Sequence, residues 1–258
     1  MMQFGFCDLA VVPLRREPSD KAEMSTQLLF GDILEVDDQD GSWFHVKVFF
    51  DGYHGWVDSK QIREIEEEEF HRLSSSNLFI NRQLFADSVS RNGQMIRIPA
   101  GCSFYDLKDQ VMKIDGQEYV LEGTAFAYAF SGFDDLLKTA SDYLSSPYLW
   151  GGKTYLGLDC SGFTQVVYKQ HGISLLRDAA QQATQGELIN FLSDSTPGDL
   201  AFFDNAEGHI IHVGILTGNQ QVLHCSGKVR IDDIDHQGIY NRELNKYTHS
   251  LRLIRRPA

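Results

Sequence analysis

The sequence predicts an α+β C-terminal domain preceded by two small all-β barrels. Three observations carry this reading. Strand-like runs broken by Asp-Gly turns fill the first 125 residues, a helical stripe begins after Ser131, and strands return from Asp199 onward. The expected domain boundaries are 1–66, 67–128 and 129–258.

Residues 5–62 read as all-β. Stretches 33–36 and 43–49 are rich in β-branched and aromatic residues. Asp40-Gly41 and Asp51-Gly52 are hairpin signals, and Gly55-Trp56-Val57 closes the segment. Strands this short and closely spaced suggest a small barrel. Residues 64–69 hold five glutamates in six positions and read as a solvated linker. A second β-rich stretch follows, with strands at 95–98, 111–114 and 118–121 and an Asp115-Gly116 turn, which suggests a second barrel.

The period then changes. Phe133, Leu136, Leu137, Ala140, Tyr143 and Leu144 form one helical stripe, which Pro147 is expected to end. A second helix is predicted over 160–171, with Phe163, Val166 and Val167 as its buried face and Gly172 suited to its C-terminal cap. Strands at 200–203, 209–216, 221–226 and 250–255 complete an antiparallel sheet.

A chain of 258 residues with 42% hydrophobic side chains can bury a real core. Its net charge of −13 repels phosphate backbones and anionic lipid, so neither nucleic acid nor a membrane surface is an expected partner. No leader-like segment or apolar run of membrane-spanning length occurs, and the expected location is the cytoplasm, as a monomer. Cys7, Cys102, Cys160 and Cys225 are far apart and lack metal or redox spacing, so free thiols are expected, with no cofactor.

One of these cysteines differs from the rest. Asp159 is a good N-cap, which puts Cys160 at the first helical position, where the helix dipole favours a nucleophilic thiolate. His212 and His224 each lie inside an apolar strand. With a three-residue loop at 218–220, the two imidazoles project from one face; a two-residue loop without a bulge puts them on opposite faces. On one face, His212 is the general base for Cys160 and His224 orients it. The Cys160 backbone N–H and the Tyr148 hydroxyl are candidate oxyanion donors.

The motifs Pro147-Tyr148-Leu149-Trp150-Gly151-Gly152, Leu158-Asp159-Cys160-Ser161-Gly162-Phe163, Pro197-Gly198-Asp199-Leu200 and His212-Val213-Gly214, in this order, resemble the NlpC-type cell-wall cysteine peptidases. That resemblance implies a papain-like domain with a Cys-His-His triad, preceded by SH3-like barrels. It is similar to the branch that releases the diamino acid from L-Ala-γ-D-Glu-diamino acid murein peptides during wall recycling. By the same resemblance, Asp178 anchors the free amine of the substrate, with Ser161, Trp150 and Asp159 in the pocket. Tyr53 and Glu23 are candidate contributors from the first barrel. Position 179 is alanine where a serine is usual, which removes one expected hydrogen bond.

Three other readings compete. His209, His212, His224 and Cys225 could be zinc ligands, but neighbouring or three-apart strand positions diverge. A wall-fragment binding module has no need for the trio. An amidase or thiol acyltransferase keeps the nucleophile but has no use for Asp178.

Overall fold

The computed structural model describes residues 3–85 and 87–257. The chain divides into two compact units, Met1–Tyr128 and Ala129–Ala258. No helix among the described residues is long and apolar enough to cross a membrane.

In the first unit, β1 (Phe4–Phe6), β2 (Val11–Arg15), β3 (Met24–Leu29), β4 (Ile33–Asp40), β5 (Trp43–Val48), β6 (His54–Asp58) and β7 (Arg63–Glu64) form one antiparallel sheet. Alternation along β5 buries Phe44, Val46 and Val48 and leaves Trp43, His45 and Lys47 half-buried. Gly41 and Gly52 take φ of 58° and 68°, as Asp-Gly turns require.

The acidic run is not a linker. Helix α1 (Glu67–Ser74) starts within it: three glutamates occupy the first turn, where the helix dipole favours them, while Phe70 and Leu73 are buried. Beyond it, β8 (Leu78–Asn81), β9 (Ser88–Arg91), β10 (Gln94–Arg97), β11 (Ser103–Tyr105), β12 (Val111–Ile114), β13 (Gln117–Glu122) and β14 (Ala125–Ala127) form two small sheets, β10-β9-β13-β12 and β11-β8-β14. Phe6, Phe30, Phe70, Leu73, Phe104 and Tyr119 share one core, which therefore runs across residue 66.

The second unit contains α2 (Phe133–Asp142), the short pair β15 (Lys153–Thr154) and β16 (Gly157–Leu158), α3 (Cys160–Gln170) and α4 (Ala179–Gln182). It continues with β17 (Glu187–Ile189), β18 (Leu200–Asp204), β19 (Ile210–Gly218), β20 (Gln221–Ser226), β21 (Lys228–Asp235), β22 (Gly238–Asn241) and β23 (Lys246–Arg256). The sheet is antiparallel and runs β17-β23-β18-β19-β20-β21-β22, with β22 also pairing back onto β23. It is thus closed rather than open. Its long last strand pairs with β22 over 246–250 and with β18 over 250–255, and the register shifts within both pairings.

Helix α2 stops at Asp142, well ahead of Pro147. Tyr143 is the C-cap and Ser145 turns the chain at φ 71°, so Leu144 ends outside the helix and exposed, not on its stripe. Helix α3 has no solvent face at all. Every residue from Cys160 to Gln170 is buried, against the amphipathic expectation. Three of its polar side chains donate inside: Thr164 to Gln182, Gln165 to the Leu175 carbonyl, and Gln170 to the Tyr143 hydroxyl. Gly172 caps it at φ 74°.

Because Leu73 is 1% exposed in the shared core of the first unit, Leu73→Ala should lower that unit's unfolding free energy by about 2–5 kcal/mol in a urea titration. A residue in a solvated linker would leave the midpoint unchanged.

Candidate active site

The geometry of the site starts with a turn. Asn219 and Gln220 both take left-handed conformations, at φ 52° and 58°, forming a two-residue hairpin turn that pairs Gly218 with Gln221. The three-residue loop is therefore incorrect. A bulge between Leu216 and Gly218 supplies the odd residue instead and restores the parity. Gly214 pairs with His224, and His212 lies diagonally across from it on the same face. Leu216 and Val222, on that face too, belong to the core enclosed by the sheet. Gly214 is needed here: a Cβ would stand 2.9 Å from the His224 Cβ and 2.6 Å from Val222 Cγ2.

His212 Nε2 lies 2.8 Å from His224 Nδ1, and His224 Nε2 lies 3.0 Å from Asp232 Oδ2 on β21. Arg230 holds that carboxylate through Nε at 2.8 Å and Nη2 at 2.9 Å. Burial works against the charge on Asp232, but the hydrogen bonds from His224 and Arg230 outweigh it and hold the carboxyl below its ordinary range. An ionised carboxylate only accepts, so His224 carries its proton on Nε2 and accepts on Nδ1. His212 must then donate from Nε2, which leaves Nδ1 as its basic nitrogen. Burial, then the nearby His224 and His249, push His212 well below the usual imidazole value, so the resting ring is neutral.

The candidate nucleophile, Cys160, opens α3. Asp159 caps the helix: Oδ1 accepts from the Gly162 N–H at 2.6 Å, and Oδ2 accepts from the Gly151 N–H at 2.9 Å. Arg177, only 1% exposed, closes a fork on the same carboxylate at 3.0 and 2.6 Å and donates to Ser161 Oγ at 2.9 Å. Gly162 and Gly152 allow the helix start to meet the preceding loop, since a Cβ on Gly162 would lie 2.2 Å from the Gly152 carbonyl. The Val213 N–H bonds to the Cys160 thiol, bringing it to the residue after His212.

Cys160 is only 7% exposed, and burial, helped by the Asp159 charge, pushes its thiol up to about 12. The N–H groups of Val213 and Ser161 and the Arg177 charge pull the other way without prevailing. Burial thus works against the thiolate that the helix start favours. Burial biases the thiol and the His212 imidazole each toward its neutral form.

A cleft of about 270 Å³ opens beside His212, lined by Tyr148, Ile211, His212, Cys225, Ser226, Gly227 and His249. Burial first, then the neighbouring Cys160 and Asp159, raise the Tyr148 hydroxyl above its ordinary value, so it keeps its proton to donate. Trp150 is 60% exposed. Ser161 is buried and donates to Asp159 at 3.3 Å. Asp178 is the half-buried N-cap of α4 in a capping box, its N–H donating to Gln181 Oε1 at 2.9 Å. Tyr53 and Glu23 belong to the first unit, where Tyr53 packs on the core and Glu23 pairs with Arg16. Cys7, Cys102 and Cys225 are buried free thiols, as is Cys160. Among the described residues, metal-type ligand atoms converge at Asp37, His45 and His54 in the first unit, not at His209, His212, His224 and Cys225.

Sequence reasoning missed Asp232, Arg230, Arg177 and His249. The alternation Val229, Ile231 in 228–235 was a usable strand signal, and the even spacing of Asp232 from its diagonal partner His224 follows once that strand is drawn.

The chain resembles known proteins over most of its length. Residues 145–248 match the model of the NlpC/P60 family, and residues 14–62 match the bacterial dipeptidyl-peptidase Sh3 domain. The chain is 30% identical over 227 residues to a γ-D-glutamyl-L-lysine dipeptidyl-peptidase of Bacillus cereus, covering 78% of this chain and 67% of that protein. It is also 30% identical over 226 residues to the protein of that name from Bacillus subtilis, covering 78% and 72%. The solved structure of an NlpC/P60 family protein from Bacillus cereus superposes with a TM-score of 0.81 at 22% identity, covering 98% of this chain and 99% of that one.

Two outcomes follow from the hydrogen-bonded line. Asp232→Asn offers an amide N–H to His224 Nε2, which reverses both tautomers, and should cut kcat/KM by about a hundredfold or more with folding retained. Because His212 and His249 stay neutral when folded, at values well below 6.5 and about 4, the unfolded chain binds more protons below pH 6.5. Stability should be full above pH 6.5 and fall from there toward pH 4, read as a declining urea midpoint.

Proposed function

As the chain belongs to the NlpC/P60 peptidase family and carries a bacterial SH3 domain, we propose that it is a cysteine endopeptidase. In this reading it cuts the γ-D-Glu–diamino acid bond of L-Ala-γ-D-Glu-diamino acid murein peptides that have a free N-terminal L-Ala. The observation that carries the chemistry is the line from Asp232 through His224 to His212, beside a helix-start cysteine. Cys160 Sγ attacks the carbonyl carbon while its proton passes to His212 Nδ1. The oxyanion is met by the Cys160 N–H and the Tyr148 hydroxyl. His212 then gives the proton to the departing amine, leaving a thioester and a neutral imidazole. Water, deprotonated by His212, hydrolyses the thioester and restores the thiol.

The substrate assignment rests on Asp178 as the anchor of the free amine, with Ser161, Asp159 and Trp150 about the pocket. The activity named for the two Bacillus relatives supports it. A free amine marks a peptide already released from the sugar, which fits recycling of wall fragments in the cytoplasm. Residues 67–128 are read as a second SH3-like barrel.

Incubation with the free-amine tripeptide and its N-acetylated form, followed by mass spectrometry, tests the proposal. Only the free form should be cut, Cys160→Ala should abolish cutting, and Asp178→Asn should raise KM by about tenfold to a hundredfold. Equal cutting of both forms would keep the peptidase and discard the anchor. No cutting of either would favour the amidase, the acyltransferase or a wall-fragment binding protein.

A further inference from the structure

His249 has no step in the chemistry above, yet it lies flat against the base. It sits on β23 where the strand leaves β22 for β18, opposite Ile239. Its backbone is held by close approach: a Cβ on Gly238, at φ 139°, would fall 1.8 Å from the His249 carbonyl. Its ring stacks on His212 with centroids 4.2 Å apart and planes 25° from parallel. Thr248 Oγ1 lies 2.9 Å from its Nδ1. Phe203 meets both rings, at 5.7 Å from His212 and 5.9 Å from His249. His249 also lines the cleft.

We infer that His249 is a positioning residue whose stacked ring clamps the His212 imidazole in its working orientation and screens it from water on the cleft side. This rests on the cysteine peptidase reading of the site. Without the stacked ring, the hydrogen bond from His212 to His224 is left as a pivot, and rotation about it turns Nδ1 out of its working direction. A neutral ring is the right partner. It shields without adding charge, and its face accommodates the imidazolium formed during proton transfer.

The titratable groups against His212 are His224 from β20, backed by Asp232 and Arg230 from β21, and His249 from β23; Phe203 from β18 is uncharged, and the Cys160 thiol meets the neighbouring Val213 N–H. Burial is the largest cause holding His212 low. Removing the screen admits water, so His212 should move up toward the ordinary 6.5 and the acid limb of activity should move up with it.

The test compares His249→Ala with His249→Phe in the full chain, following kcat/KM against pH on the free-amine tripeptide and the rate of Cys160 alkylation by iodoacetamide against pH. The alanine variant should lose about tenfold or more in kcat and show its acid limb at higher pH. The phenylalanine variant, which keeps a flat ring but cannot titrate, should recover most of the rate and the original limb. An unshifted limb in the alanine variant, or a phenylalanine variant that behaves like alanine, would overturn the inference. If the wild-type protein cuts no tripeptide, the substrate reading falls. The alkylation profile then still reports on His212: a shift in the alanine variant alone supports the clamp, and identical profiles reject it.

Discussion

The bond from His224 to the buried Asp232 carboxylate settles which nitrogen carries each proton along the line that ends at His212. A neutral imidazole has one donor and one acceptor, so two linked imidazoles have two opposite arrangements. Only one of them leaves His212 Nδ1 basic. The charge of Asp232 selects it, and Arg230 keeps that charge in place despite burial. The polar chain is hydrogen-bonded from His212 through His224 to Asp232 and on to Arg230 Nη2, and a buried network linked in this way orders a site.

The closed sheet supplies the other half of the design. His212 and His224 share a face with Leu216 and Val222, so the site sits at the edge of an apolar core. That burial keeps Cys160 and His212 neutral at rest, since a single charge on either is poorly solvated there. In the proposed mechanism, proton transfer creates two opposite charges together, and in a dry setting they attract strongly. The site thus resists isolated ionisation and tolerates the paired kind that accompanies attack.

The parts of the site legible in the sequence were those with local causes. Asp159 before Cys160 announces a cap, and a histidine within an apolar strand is conspicuous wherever the strand goes. Asp232 was hidden because residues 228–235 carry five charged side chains that mask the apolar alternation. His249 was hidden because β23 opens with a polar stretch whose partners lie on other strands. The Thr217 bulge leaves no mark in composition, though the whole facing of the histidines depends on it. The glutamates concealed α1 because their charge outweighs the two apolar residues that seat it. Burial of the thiol is a tertiary property, and a rule based on the helix dipole alone could not weigh it.

Strand β23 serves two neighbours in succession and has β17 along its far end as well. Its release would uncover the edges of β18 and β22 together, and both would offer unpaired backbone groups to other chains. Protection of this unit against intermolecular strand pairing is therefore concentrated in one segment. Local fraying there carries a solubility risk out of proportion to its length.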